Sequence, residues 1–220
     1  MLTRLLIAVN VIAYLWEQVS GTNAVVQRDG LIGEYVLAGQ WWRIFTSAFL
    51  HADIMHIAFN MFALYQVGQY VELIYGTPRM AIIYVFAMVG SGAAVTFFAP
   101  DSLTIGASGA IFGLFGALAV AGFRLGAPGR QIMQQTTGII LINLIIGFLP
   151  GSNISYQAHI GGLIVGTLAG LALFRVPRPR AAVETREPAY AQRIDPYDPG
   201  VVTHEHPPIT EDPRRTPHAE

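Results

Sequence analysis

The chain of 220 residues is 53% hydrophobic and only 12% charged, with a mean hydropathy of +0.46. This composition is too apolar for an ordinary soluble domain and predicts an all-α, polytopic membrane protein. A net charge of −1 leaves no basic surface for nucleic acid. The absence of cysteine excludes disulfides, a thiolate nucleophile and cysteine-based metal sites.

Six apolar runs along the chain are long enough, or nearly so, to cross a bilayer, which takes about 20 residues. They lie near 3–19, 51–75, 80–99, 107–124, 131–149 and 157–174. The sequence therefore predicts a bundle of six transmembrane helices within one domain, residues 1–174. The first run follows Arg4 and resembles a signal peptide, but no clean cleavage site comes after it, which favours an uncleaved anchor.

The arginines predict an orientation for this bundle. Seven of them fall on one side of a six-span arrangement: Arg4, Arg79, Arg124, Arg130, Arg175, Arg178 and Arg180. Because positive residues favour the inner side of a membrane, that side is expected to be cytoplasmic. Both termini are then cytoplasmic, in the inner (plasma) membrane of the cell. Arg28 and Arg43 lie on the opposite side, in the long first loop.

The loops on the outer side differ in character. The first, Ser20–Leu50, contains Trp41 and Trp42, and we expect it to lie partly in the membrane interface, where tryptophan is favoured. An ordinary interfacial aromatic belt explains the tryptophans equally well. The third loop, Phe97–Gly106, contains a proline that ends the preceding helix. The fifth, Leu149–Tyr156, is uncharged and rich in Pro, Gly and Ser.

Residues 175–220 form a region of different composition. Proline, charge and the lack of apolar periodicity predict a disordered cytoplasmic tail there. Its histidines, His204, His206 and His218, are of a type that binds metal, but a solvated tail is the favoured interpretation.

Polar side chains inside a membrane are costly and therefore indicate function. Four stand out in spans two, four and six: His56, Asn60, Ser108 and His159. Three of them, Asn60, Ser108 and His159, each lie 16 residues before an arginine or glycine that marks the inner end of the span. At about 1.5 Å per residue each is roughly 24 Å above that end, just below the outer face of a core about 30 Å thick. His56 shares a helix face with Asn60.

Small residues continue below two of these positions at helical spacing. The two stripes are Gly162, Gly166 and Gly170 below His159, and Gly109, Gly113 and Ala117 below Ser108. Such stripes let helix backbones approach closely in lipid. If they face each other, His159 is brought to Ser108. The alternative is that the glycines only pack helices and the polar groups only bond across the bundle.

This set of side chains fits acyl transfer. A serine hydroxyl is a weak nucleophile until a base takes its proton, and His159 is the candidate base for Ser108. Since no carboxylate is expected at that depth, the sequence predicts a Ser/His dyad and not a triad. Phe112, one turn below the serine, is expected to pack on the imidazole. Asn60, His56 and backbone N–H groups around Ser108 are candidate donors to an oxyanion.

Hydrolysis also requires water, which a bilayer core does not supply. The site is expected just below the outer surface, under the fifth loop. Irregular backbone at such a depth is tolerated around a water-filled cavity, so we expect a small one here.

Four motifs occur in order along the chain: WR at Trp42–Arg43, HxxxN at His56–Asn60, GASG at Gly106–Gly109 and AHxxGxxxG at Ala158–Gly166. Together they resemble the rhomboid family of intramembrane serine proteases, over the chain up to Phe174. The resemblance implies an endopeptidase that cleaves transmembrane segments of other proteins near the outer membrane boundary, without a metal or organic cofactor. It also implies a minimal six-span bacterial type.

The resemblance assigns a role to each matching residue. Ser108 would be the nucleophile and His159 the general base. His56, Asn60 and the Ser108 backbone N–H would form the oxyanion hole. Supporting positions are Gly106, Gly109, Phe112, and Trp42 and Arg43 of a membrane-embedded first loop.

Two positions modify this assignment. Some bacterial members have tyrosine where Phe112 stands, so a hydroxyl contact is lost while stacking on the imidazole stays possible. His51 resembles a further histidine found before the second span. A helix-start residue at the membrane interface is the favoured interpretation of His51, rather than a catalytic one.

Two alternative functions are disfavoured. A rhomboid-like pseudoenzyme that binds transmembrane helices without cutting them would be expected to lack the serine or the histidine. A transporter is also typical of intramembrane His and Asn, but no carboxylate is expected well inside the spans, since Glu72 lies near the inner end. Neither the substrate nor the oligomeric state is predicted by the sequence.

Overall fold

A computed structural model of the chain describes residues 1–148 and 155–175. In this part of the chain the regular structure is helical, apart from an isolated bridge between Leu31 and Thr104. The helices are α1 Leu2–Ser20, α2 Thr22–Asp29, α3 Gly33–Leu37, α4 Arg43–Thr46, α5 Ile54–Tyr75, α6 Thr77–Phe98, α7 Ser108–Arg124, α8 Ala127–Phe148 and α9 Tyr156–Leu173. A 3-10 turn, Ser47–Phe49, follows α4. Most of the predicted fifth loop and tail lie outside the described residues.

The six predicted apolar runs correspond to α1 and α5–α9, with shifted starts that local chemistry explains. Helix α5 begins at Ile54 and not at residue 51, because the Asp53 carboxylate caps it by accepting the His56 N–H at 2.8 Å. Helices α6 and α8 begin three and four residues earlier than expected. A proline stands in the first turn of each, where its missing N–H costs nothing.

Three of these helices are long and apolar enough to cross a membrane: α1, α6 and α9. A fourth span results if Arg43–Phe49 and α5, bent by 97°, are counted together. Helix α7 is apolar but only 17 residues long. The chain is therefore an integral membrane protein, while the count of six spans stays a prediction.

Helix α7 lies at the centre of the bundle, in contact with α5, α6, α8 and α9. Its packing against α9 is the most extensive in the described chain. The reason is the pair of glycine stripes: a Cβ on Gly162 would overlap the carbonyl of Gly109, and one on Gly166 would overlap the backbone of Gly113. The two helix backbones therefore touch, and the first turns of both helices lie side by side.

Hydrogen bonds to the Glu72 carboxylate connect the start of α1 to α5. This group accepts the backbone N–H of Leu2 at 2.7 Å and of Thr3 at 3.1 Å. It also accepts the hydroxyls of Thr3 and Thr77, each at 2.8 Å. A negative charge at these helix starts is favourable, because it meets their unpaired N–H groups.

The first loop is folded rather than extended, with α3 and α4 packed against α6. Arg43 organises it from inside: its side chain is 6% exposed and donates to the carbonyls of Gly30 at 2.6 Å and Gln27 at 3.1 Å. The same guanidinium donates to Gln40 Oε1 at 2.6 Å. The loop therefore holds the Leu31–Thr104 bridge in place beside the start of α7.

Candidate active site

The side chains of Ser108 and His159 meet where α7 and α9 begin. Ser108 is the first residue of α7, and His159 lies in the first turn of α9, which the Ser155 hydroxyl caps. The distance from Ser108 Oγ to His159 Nε2 is 2.9 Å. When the imidazole carries its proton on Nδ1, Nε2 accepts the serine hydroxyl, which is the geometry that general-base activation requires.

The His159 ring is buried and held by an aromatic stack. Phe112, one turn below the serine, lies parallel to it with 4.1 Å between ring centroids and an interplanar angle of 11°. Phe115 in turn meets Phe112 edge-on at 5.5 Å. This packing limits the rotation of the imidazole by contact with its face, whereas the carboxylate of a triad would accept the Nδ1–H at the ring edge.

A turn centred on Gly106 precedes the serine. Gly106 has φ of +115°, which glycine adopts readily, and its N–H donates to the Ser47 carbonyl at 2.9 Å. A Cβ at Gly106 would lie 2.8 Å from His56 Nε2 and 3.9 Å from Asn60 Nδ2. The His56 imidazole and the Asn60 amide can approach the backbone at Gly106 because this residue has no side chain.

These two side chains and the helix start supply several N–H groups at one place. Asn60 donates one amide hydrogen to the His56 carbonyl at 2.9 Å, which leaves its second amide hydrogen for another acceptor. His56 Nδ1 accepts the Ala52 N–H at 3.4 Å. Because α7 begins at Ser108, its first backbone N–H groups have no acceptor within the helix. Donors that converge beside a nucleophile are what an oxyanion needs.

A cavity of about 20 Å³ adjoins the serine. Hydroxyl groups contribute to its wall: Ser47, Ser91, Thr104 and Ser108 line it, together with Gly106. Thr104 Oγ1 is buried and has no hydrogen-bond partner in the part of the chain that the structure describes. A space above about 10–15 Å³ with polar walls accommodates one water molecule. Sequence reasoning missed Ser91 and Thr104, since lone hydroxyl residues in α6 and the third loop give no distinctive pattern.

The other predicted residues, Gly109, Trp42 and Arg43, have separate surroundings. Gly109 faces Ser91, whose hydroxyl a Cβ there would overlap, so this glycine makes room for the close approach of α6. Trp42 is exposed beside Trp41, and Arg43 acts within the first loop as described.

His51 differs from the expected interfacial residue. Its side chain is completely buried and meets the His56 ring edge-on, with 5.1 Å between centroids. Glu17 of α1, which sequence reasoning did not single out, is also completely buried and accepts the His51 N–H at 3.1 Å. Within residues 1–148 and 155–175 no group of three His, Cys, Asp or Glu side chains is suited to hold a metal.

Comparison with known proteins identifies the class of this helical membrane protein. The rhomboid domain family model matches residues 38–176, which is more than half of the chain. The chain therefore belongs to the rhomboid family, whose proteases act within membranes.

Three relatives give the range of similarity. The chain is 38% identical to rhomboid protease GluP of Bacillus subtilis (strain 168) over 180 residues, 78% of this chain and 34% of the relative. It is 33% identical to Rhomboid-like protease 1 of Toxoplasma gondii over 158 residues, 70% of this chain and 54% of the relative. It is 34% identical to RHOMBOID-like protein 6, mitochondrial, of Arabidopsis thaliana over 146 residues, 65% and 47%. The chain thus spans about a third to a half of the length of these relatives.

Proposed function

We propose that the chain is an intramembrane serine endopeptidase that hydrolyses peptide bonds in or near transmembrane segments of other membrane proteins. The observation that carries this proposal is the 2.9 Å contact between Ser108 Oγ and His159 Nε2, beside a cavity of about 20 Å³. Family membership supports the same class of activity.

In the proposed reaction His159 Nε2 takes the proton of Ser108 as Oγ attacks the carbonyl carbon of the scissile bond. The carbonyl oxygen becomes an oxyanion, which accepts hydrogen bonds from the His56 imidazole, the Asn60 amide and the Ser108 backbone N–H. His159 then gives its proton to the leaving amine, and an acyl ester on Ser108 remains.

A water molecule completes the cycle. His159 takes a proton from this water, the hydroxide attacks the ester carbonyl, and the same donors stabilise the second oxyanion. The proton returns to Ser108 Oγ as the ester bond breaks. The cavity next to the serine supports this step because it is large enough for one water and has hydroxyl groups in part of its wall.

The proposed arrangement in the membrane has six spans within residues 1–174 and a cytoplasmic tail at 175–220. With both termini cytoplasmic, in the plasma membrane, α5, α7 and α9 run inward and the dyad lies in the outer leaflet. A transmembrane substrate is then cut near its outer boundary.

The alternatives carry less support. A non-catalytic binder of transmembrane helices has no need of a serine in hydrogen-bond contact with a stacked imidazole. A transporter would need titratable groups along a path, whereas the Glu72 carboxylate is occupied by four donors at helix starts and the Glu17 carboxylate binds the His51 backbone N–H.

The test uses the full chain purified in detergent and a model transmembrane substrate. The wild-type chain is expected to cleave it and to be labelled at Ser108 by a serine-directed phosphonate. Ser108→Ala should abolish both, while Ser102→Ala, an exposed serine of the third loop, should cut at the wild-type rate. Equal cleavage by the wild-type and Ser108→Ala chains would sink the proposal.

A further inference from the structure

A second group of buried polar side chains lies beside His56 and takes no part in the reaction described. Glu17, in the last turn of α1, and His51, just before α5, have no exposed surface. Glu17 Oε2 accepts the His51 backbone N–H at 3.1 Å, but Glu17 Oε1 and both ring nitrogens of His51 have no hydrogen-bond partner among the described residues. Unpaired buried polar atoms are rare and unfavourable, so three of them in two touching residues require an explanation.

The segment that Glu17 anchors holds the His56 ring from two directions. The His51 ring contacts the His56 ring at 5.1 Å between centroids and an angle of 66°. The next residue along the chain, Ala52, donates its N–H to His56 Nδ1 in a long hydrogen bond of 3.4 Å. Because Glu17 binds the His51 N–H, it restrains both the ring contact and the Ala52 donor.

The Ala52 N–H contact favours one of the two neutral tautomers of the His56 imidazole. A neutral imidazole has one N–H and one acceptor nitrogen, so an acceptor at Nδ1 leaves the hydrogen on Nε2. Nε2 is the atom nearest Gly106, where a Cβ would lie 2.8 Å from it. The His56 N–H is thus presented to the turn that leads into Ser108.

We propose that Glu17 and His51 are positioning residues, which fix the ring orientation and tautomer of His56 so that its Nε2–H is preset toward the oxyanion. The inference rests on the proposed function, in which His56 is an oxyanion donor. It assigns to α1, which precedes the family match at residue 38, a direct effect on the reaction site.

The first measurement reads the imidazole itself. ¹⁵N NMR spectra of the full chain labelled at histidine, in detergent, with His56 assigned by its loss in His56→Gln, should show the Nε2–H tautomer in the wild-type chain. Glu17→Ala and His51→Ala should give a mixture of tautomers at His56. Glu17→Gln keeps an acceptor for the His51 N–H and should preserve the wild-type signal. An unchanged His56 tautomer in both alanine variants would overturn the proposal.

The second measurement separates positioning from general packing. Glu17→Ala should lower kcat about tenfold with KM unchanged, less than the 10²–10³ lost on removal of an oxyanion donor, and Glu17→Gln should restore it. Asn10→Ala, which removes another completely buried polar side chain of α1, should leave kcat unchanged. If Asn10→Ala lowers kcat as much as Glu17→Ala, the helix acts by packing alone and the proposal is wrong. A wild-type chain that cuts no substrate would instead refute the proposed function, and the NMR spectra would still decide the role at His56.

Discussion

The two sides of the candidate site are built by opposite means. On the side of α7 and α9, Ser108 and His159 meet because glycines let two backbones touch. On the side of α5, His56 and Asn60 reach the turn at Gly106 through a series of hydrogen bonds. In these bonds the Ala52 N–H is a donor. The acceptors are the carboxylates of Glu17 and Asp53 and the carbonyls of Ser47 and His56.

This difference predicts how each side fails. The close contact between α7 and α9 is disturbed by added atoms, because the two backbones already touch. It does not depend on hydrogen bonds between polar side chains. A hydrogen-bonded junction is disturbed by the removal of one donor or acceptor and tolerates small changes in volume. Substitutions that add one methyl group or delete one amide therefore separate the two.

The largest expected effect is on the hydrogen-bonded side. Asn60→Ala should slow turnover by about 100- to 1,000-fold, because one preorganised oxyanion donor is lost. Gln69→Ala is the matched control: this amide of the same helix also donates to the carbonyl four residues earlier, at 2.9 Å, and it is remote from the serine. Cleavage rates and thermal denaturation curves of both variants give the measurement. An unchanged rate for Asn60→Ala would remove Asn60 from the mechanism.

On the steric side, Gly162→Ala should reduce cleavage by about 100-fold, since a displacement of about 1 Å at the reacting atoms has that effect. The added Cβ overlaps the Gly109 carbonyl and forces α9 away from α7. Overpacking should also lower the free energy of unfolding by about 1–3 kcal/mol.

Gly138→Ala is the control for this variant, because within the described part of the chain a Cβ there would meet no atom of another helix within 4 Å. It should cleave and unfold like the wild-type chain. Normal cleavage by Gly162→Ala would show that the dyad does not depend on the close approach of the two helices.

The smallest expected effect concerns the ring that supports the base. Phe112→Leu removes the stack on His159, and an aromatic pair contributes about 0.5–1.5 kcal/mol beyond its buried area, so kcat should fall about 2- to 10-fold. Phe112→Tyr keeps a ring at 4.1 Å and should retain most activity. Equal losses in the two variants would mean that the volume of the residue, and not its aromatic face, is what His159 requires.

Sequence periodicity predicted the long helices well, because apolar runs and small-residue stripes are local patterns. The juxtaposition of Ser108 and His159 was predicted on the condition that the two stripes of small residues face each other, and they do so at Gly109–Gly162 and Gly113–Gly166. Prediction was poorer where contacts join distant residues. The short helices of the first loop depend on Arg43 bonds to carbonyls 13 and 16 residues away.

Glu17 shows the same limit more sharply. In the sequence it is one acidic residue near the end of an apolar run, with nothing to mark its importance. Its partner, the His51 N–H, lies 34 residues further along the chain. Almost every residue has a backbone N–H, so such donors give no signal in the sequence. For this reason His56 and Asn60 could be predicted, whereas the contact of Glu17 with the His51 N–H could not.

The shortness of α7 has a consequence for the surrounding lipid. Its 17 residues measure about 25 Å, less than a hydrocarbon core of about 30 Å, and such a hydrophobic mismatch would ordinarily thin the bilayer or tilt the helix. Here α7 is packed against α5, α6, α8 and α9, and most of its residues are buried. The lipid chains therefore do not have to adapt to the length of α7. In the proposed six-span arrangement, the missing turn of helix is replaced by non-helical backbone at membrane depth, which is tolerated because protein surrounds it. Extending α7 by one turn at its start would convert residues 104–107 into helix and remove the Gly106 turn that His56 and Asn60 approach.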